Sequence, residues 1–422
     1  MRSIVQIENQ NRMNLRLPFI LFLVILCHST LSIYSQNCKP AGFAGYNGNV
    51  TGGGSSTPVT VKNLADFKSA ASASGPKVIL VDGNFGSGTD AVKVTSDKTI
   101  FGLPGAVFNG SLQITGAEGA EVKNVIIRNL KIVGPGAEDV NGIDPVYLKF
   151  AERVWLDHLE IIDGQDGSMD ITHASDFVTV SWCKFNYTSK SRSHQFAILI
   201  GHSDNNSAED KGKLRVTFQY NYWAEGVVER MPRVRYGQVH LVNNLIDNKG
   251  SSGTRAGREA NLYIESNVYK GVSEPIDLYN NDFVGITSKD NLFIGTSGNQ
   301  KGSGTSFTPP YTIEKISADK VEALVKSGAG ATLKKLDECT ITEVEETVFE
   351  EALIAYPNPF SDQLLINVPD GYQYNLSDLT GRNMISLTQG NHSLETTHLP
   401  AGLYYLQMVK GDRLEVIKLL KK

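Results

Sequence analysis

A chain of 422 residues is long enough to bury a large core and to hold more than one domain. Its formal net charge of -5 excludes the basic balance expected of a nucleic-acid binder, so no nucleic-acid partner is expected. With 40 glycines spread among Asn, Ser, Thr and short apolar runs, the chain reads as many strands and turns rather than helices.

Arg12 and Arg16 stand before an apolar run at 17–27, and residues 33–35 form a cleavage site before Gln36. Residues 1–35 therefore read as a secretory signal peptide, with Met13 as an alternative start. The run is short for a membrane span, and the bulky Leu26 before Cys27 argues against a lipoprotein. Secretion is expected, which leaves Cys38, Cys183 and Cys339 in the mature chain. In an oxidising compartment Cys38 and Cys339 are expected to join the two ends of the first domain by a disulfide. Cys183 lies in a strand-like run and reads as a small buried hydrophobe.

Residues 59–80 read as strand, helix, strand, with Asn63 as the helix cap. β-rich runs then recur at 121–132, 151–161, 175–185, 212–222, 237–246, 260–269 and 290–295. A period of roughly 22–30 residues belongs to a solenoid coil rather than a hairpin meander. The runs share a small residue at one position, filled by Cys183, Asn221, Asn244 and Asn267. Stacked coils would align these into an interior column whose amides bond to one another and to turn backbone. The solenoid domain is expected over 36–335. An acidic linker follows at 336–352, and a compact β-sandwich of short strands at 353–422.

Three acids and three arginines carry the candidate chemistry. Arg230, Arg233 and Arg235 fall within six residues beside Pro232, whose missing N–H predicts a turn or bulge leaving a sheet. Asp166 and Asp170 are four residues apart at the lip of a coil, and Asp144 falls on the coil before. Such oxygen donors, without His or Cys, suit Ca²⁺. A glycosidase acid/base pair and solvated turn acids are the alternatives. Cation and arginines together suit a polymer carrying carboxylates, such as a uronic-acid polysaccharide. Acidifying the proton α to a carboxylate would then permit β-elimination, with Arg230 as the base. That role requires a guanidinium pKa well below its ordinary value.

The runs at 154–158, 166–172, 177–182, 199–204, 215–221 and 230–237 closely resemble the pectate lyase family of right-handed parallel β-helices, over roughly residues 50–300. The resemblance implies an all-β, right-handed parallel β-helix that cleaves pectate (homogalacturonan) with Ca²⁺ by β-elimination. It places calcium on Asp144, Asp166 and Asp170, the catalytic base on Arg230, and a substrate-carboxylate contact on Arg235. Asp157 and His158 match a motif read as structural. One departure is Phe196, which stands where the family usually has Lys; Lys190 and Arg192 are the nearest substitutes. The lost cation leaves room for partly methyl-esterified pectin. A polygalacturonase-type hydrolase and a non-catalytic pectin-binding protein are the remaining alternatives. The tail, with motifs at 355–360, 379–382 and 399–404, resembles the C-terminal sorting domain of the type IX secretion system. That implies recognition by export machinery and an extracellular or surface-attached location; a carbohydrate-binding module is the alternative. A monomer is expected.

Overall fold

The computed structural model describes residues 39–138, 142–339, 354–367, 373–387, 392–410 and 413–422. The expected signal peptide, Cys38 and nearly all of the expected acidic linker lie outside the described residues. Cys339 is disulfide-bonded, and Cys183 is a buried free thiol.

Each coil of the solenoid adds one parallel strand to each of three faces. The first face holds ten parallel strands, from Val59–Val61 and Lys77–Val81 through Asp176–Ser181 to Gly285–Lys289, and Ser303–Gly304 closes it antiparallel. The other two faces meet in the long strand Val107–Thr115. From there one face runs through Glu160–Ile162 and Lys184–Asn186 to Leu292–Ile294. The other runs through Met169–Thr172, Ile198–Ile200, Arg233–Val234 and Ser252–Ala256 to Glu274–Asp277. Apolar side chains from all three fill one continuous core, with Ile171, Val180, Phe185, Phe218 and Leu241 fully buried. Asn63 caps the helix Leu64–Ser72 by accepting from the Asp66 amide at 3.0 Å, as its sequence position predicts.

The interior column forms and is longer than expected. The Asn221 side-chain amide donates to Asn244 Oδ1 at 2.9 Å, Asn244 to Asn267 at 2.8 Å, and Asn267 to Asn291 at 3.0 Å. At the other end the Cys183 amide donates to Asn221 Oδ1 at 2.9 Å. Trp182, Tyr220, Asn243 and Ser266, the residue before each rung, all have φ near +55°. This left-handed corner turns the chain from the first face to the next. Every buried amide in the column thus has a partner, which removes the penalty of an unpaired polar group.

A second buried network clasps the segment after the last coil. Arg128 Nε donates to Asp157 at 2.8 Å, while its Nη atoms donate to the Leu336 and Glu338 carbonyls at 3.0 Å each. Asn129 exchanges two bonds with the Leu333 backbone, at 2.9 and 2.7 Å. Burial pushes the Asp157 carboxyl up, but His158, Arg128 and Ser181 outweigh it and hold its pKa at about 2. Asp157 and His158 therefore act in packing, in keeping with the motif's structural reading. The helix Ala318–Gly328, absent from the expected elements although Val321, Leu324 and Val325 stand at helical spacing, covers Trp182, Tyr220, Leu245 and Val268.

The C-terminal unit is a β-sandwich. Ile354–Tyr356, Gln363–Asn367 and His392–Glu395 form a three-stranded antiparallel sheet. Gln373–Asp378, Asn383–Leu387, Gly402–Lys410 and Arg413–Lys421 form a four-stranded one. The two share a core built around Phe360, Leu364, Leu376, Tyr404, Leu406 and Leu419. Tyr404 is buried there and Tyr405 is not, the alternation of a strand with one wet face.

Two outcomes test these networks. Replacing Asn244 by Ala strands the Asn221 amide groups, so urea unfolding of the solenoid should show a loss of about 2–4 kcal/mol. The depressed Asp157 pKa stabilises fully above the ordinary carboxylate value of 3.8, and that stability fades as pH falls through about 2. Asp157→Asn should therefore be weaker by roughly 2 kcal/mol at neutral pH, with the deficit shrinking in unfolding curves taken near pH 2.

Candidate active site

The candidate acids stand where the first strands of the third face begin. Residues 164–170 form a turn that only glycine can close: a Cβ on Gly164 would lie 1.7 Å from the Gly167 carbonyl oxygen. A Cβ on Gly167 would lie 3.1 Å from Asp144 Oδ1. The turn is stitched to its neighbours by Gln165 N to Ile143 O at 3.3 Å and by Ser168 N to Ala197 O at 3.0 Å. One coil further on, the Ala197 and Ile198 amides donate to the Glu229 and Arg230 carbonyls, at 3.0 and 2.7 Å. Four segments distant in sequence, around 143–146, 165–170, 196–198 and 229–230, thereby become consecutive rungs.

Asp144 and Asp170 are buried close enough for each to act on the other's ionisation. Burial, then the charges of Asp170 and Asp166, push Asp144 well above the usual carboxylate range. Burial also raises Asp170, with Asp166 adding to it and Arg230 opposing. Asp144 Oδ1 is sealed from solvent and has no hydrogen-bond partner. Among the described residues no group of three or more His, Cys, Asp or Glu side chains is gathered closely enough to hold a metal ion as it stands. The acids are gathered and mutually repelling, which favours the protonated form of the buried pair.

The arginines are held in three different ways. Pro232 immediately precedes the two-residue strand Arg233–Val234, so Arg233 occupies a ladder position between Leu199 and Arg255. The expectation of a turn outside the sheet is corrected here: proline removes one donor and leaves residue 233 free to pair. Arg233 and Arg255 both approach the Tyr279 ring at 5.2 Å. Arg233 Nε is buried without a hydrogen-bond partner, and burial lowers its pKa, helped by Arg235, Arg230 and Arg255. Arg235 is buried, paired with Asp204 and bonded to the Gly201 carbonyl at 2.8 Å. Arg230 has φ +61°, a left-handed backbone uncommon for such a residue, and its guanidinium lies 4.2 Å above the Phe196 ring. Burial lowers its pKa; Asp170, Asp166 and Asp144 pull upward, and Arg235 pulls down.

All five residues singled out in the sequence, Asp144, Asp166, Asp170, Arg230 and Arg235, thus meet in one electrostatically coupled patch. Neither substitute for the missing lysine joins it through a recorded contact. Lys190 donates to the Gly134 carbonyl at 3.1 Å, and the exposed Arg192 pairs with Glu138 at 3.7 Å. Sequence reasoning missed Asp204 as the partner of Arg235, and it missed Arg255 and Tyr279. No spacing signal marks them, because each lies on a different coil from its partner.

A parallel β-helix with acids and arginines coupled on one outer face defines the class to which this protein belongs. The pectate lyase family model matches residues 20–333, and that of a secretion system C-terminal sorting domain matches 354–422. A pectate lyase of Emericella nidulans is 36% identical over 310 residues, covering 71% of this chain and 90% of that protein. Pectate lyase B of Colletotrichum gloeosporioides is 36% identical over 298 residues, 68% of this chain and 85% of the relative. Pectate lyase II of Xanthomonas campestris superposes with a TM-score of 0.58 at 25% identity, over 71% of this chain and all of that one. The fold is also that of a Bacillus pectate lyase solved with trigalacturonate, with TM-score 0.57 and 24% identity over 69% of this chain and 98% of the other. The chain belongs to the pectate lyase family and ends in a secretion sorting domain.

Proposed function

We propose that the protein is a secreted lyase that cleaves α-1,4-linked galacturonan by Ca²⁺-assisted β-elimination, giving 4,5-unsaturated oligogalacturonides. The observation that carries this reading is the sealed, unpartnered oxygen of Asp144, gathered with Asp166 and Asp170 beside the buried Arg230. Two buried carboxyls with Asp166 beside them offer the oxygen donors a hard divalent cation takes, and its charge would relieve their mutual repulsion. Bound calcium would supply the Lewis-acid charge that makes the C5 proton beside a sugar carboxylate more acidic. Asp144, Asp166 and Asp170 would hold it.

The chain's own groups then divide the work. Arg235, fixed by Asp204 and Gly201, presents charge to a substrate carboxylate and orients the sugar. Arg230 takes the C5 proton, in the neutral form that its burial makes more accessible. The C5–H electron pair becomes the C4=C5 bond, the glycosidic oxygen leaves C4 with its own pair, and that oxygen is protonated from solvent. No water is added across the bond.

An uncharged Phe196 and the absence of Lys190 and Arg192 from the patch favour a second reading for substrate choice, tolerance of partly methyl-esterified pectin. Residues 1–35 would direct secretion, 36–335 form the catalytic domain, 336–352 the linker, and 353–422 the unit read by export machinery. Cys38 is the proposed disulfide partner of Cys339.

An ultraviolet assay for unsaturated product on polygalacturonate, with and without chelator, decides the reaction class. Activity that requires Ca²⁺ is expected. Undiminished turnover in chelator with saturated products would instead indicate a hydrolase, and methylated pectin run in parallel reports the ester preference. Arg230→Ala should lose roughly 10²–10⁴ in rate, and wild-type rates in that variant would remove it as the base. In calorimetric titration Asp170→Ala should bind Ca²⁺ at least about tenfold more weakly; an unchanged isotherm would take it out of the ligand set.

A further inference from the structure

We propose that Phe196 is the positioning residue of Arg230, holding the guanidinium plane for proton abstraction; the proposal rests on the reading of Arg230 as the base. Of the three neighbouring arginines, two are pinned through their nitrogens, Arg235 by Asp204 and Gly201 and Arg255 by Asp277 and Glu229, while Arg233 lies against the more distant Tyr279 ring at 5.2 Å. Among the described residues the Arg230 side chain makes no hydrogen bond or ion pair. Its recorded contact is the Phe196 ring face, 4.2 Å from the guanidinium carbon.

The distinction is chemical. A carboxylate bonded to Arg230 would occupy the N–H edge and favour the charged form. A ring against the guanidinium carbon restrains the group and shields it from water on that side, yet takes up none of its N–H donors. Such a stack supplies about 0.5–2 kcal/mol, enough to bias one orientation of a long side chain.

The platform is itself held from below. The Phe196 carbonyl accepts the Tyr187 hydroxyl at 2.6 Å and the Ser168 amide at 3.1 Å, and Ser168 Oγ donates to the same Tyr187 oxygen at 3.2 Å. Phe196 also pairs with Glu229, the residue before Arg230, in a one-residue bridge. The His194 ring meets Phe196 edge-on at 5.0 Å. Ser168 lies between Asp166 and Asp170, so one backbone carbonyl ties the acid turn and the arginine platform into a single rung.

Steady-state kinetics on polygalacturonate with the full-length chain and saturating Ca²⁺ test the idea, using Phe196→Ala, Phe196→Leu, Phe196→Tyr and Arg230→Ala. Leu keeps the apolar volume without a π face, and thermal melts establish that each variant is folded. The Ala and Leu variants should lose about 10–100-fold in kcat while KM moves less than about threefold, and Tyr should return kcat to within about threefold of wild type. A Leu variant as fast as wild type, or a loss confined to KM, overturns the positioning role even where Arg230→Ala is inactive. An active Arg230→Ala overturns the base assignment and this role with it.

Discussion

A buried column of hydrogen-bonded amides sets the position of everything on the working face. Asn221, Asn244 and Asn267 each bond the asparagine of the next coil, at intervals of 23 or 24 residues ending at Asn291, and the Cys183 amide donates to the Asn221 oxygen at the other end. Because each rung is paired on both sides, a coil cannot shift along its neighbour without burying an unpaired donor. A slip of one residue would also turn every strand side chain to the opposite face. The column therefore fixes register, and register puts Tyr147, Asp170, Leu199, Arg233 and Arg255 in one line across the third face.

On that line the protein concentrates charge in a half-buried setting, where like charges repel more strongly than in water. Burial and mutual repulsion raise the pKa values of Asp144 and Asp170, and each arginine has its own restraint. Arg235 has an anion and a carbonyl, Arg233 has the Tyr279 ring, and Arg230 has the Phe196 ring. These restraints leave different parts of each guanidinium free, which is why three chemically identical groups can be assigned different work.

The far side of the solenoid uses the same chemistry for a different end. Arg128, Asp157 and His158 form a buried charge network that clasps residues 336–338, and Asn129 and Asn243 exchange bonds with Leu333 and Ile316. Here the arginine nitrogens are saturated and the carboxyl pKa is low, the signature of a structural pair. Around Asp144 one carboxyl oxygen is buried without a partner and burial raises the pKa, the reverse of the structural pair.

Much of this was legible in the chain. The recurring β runs, the Asn column, the Asn63 cap and the alternating strands of the sandwich are local patterns, repeated because each coil or strand must meet the same backbone geometry. The residue types at 144, 166, 170, 230 and 235 were legible too, since hard acids and forked cations are recognisable one by one. The tertiary structure alone decided what each of them touches. Asp144 meets Asp170, Phe196 lies under Arg230, Asp204 pins Arg235, and the helix Ala318–Gly328 covers the Trp182–Tyr220 stack. Those partners sit on different coils joined by loops of unequal length, so no fixed spacing records them. Only stacking in register converts sequence separation into contact.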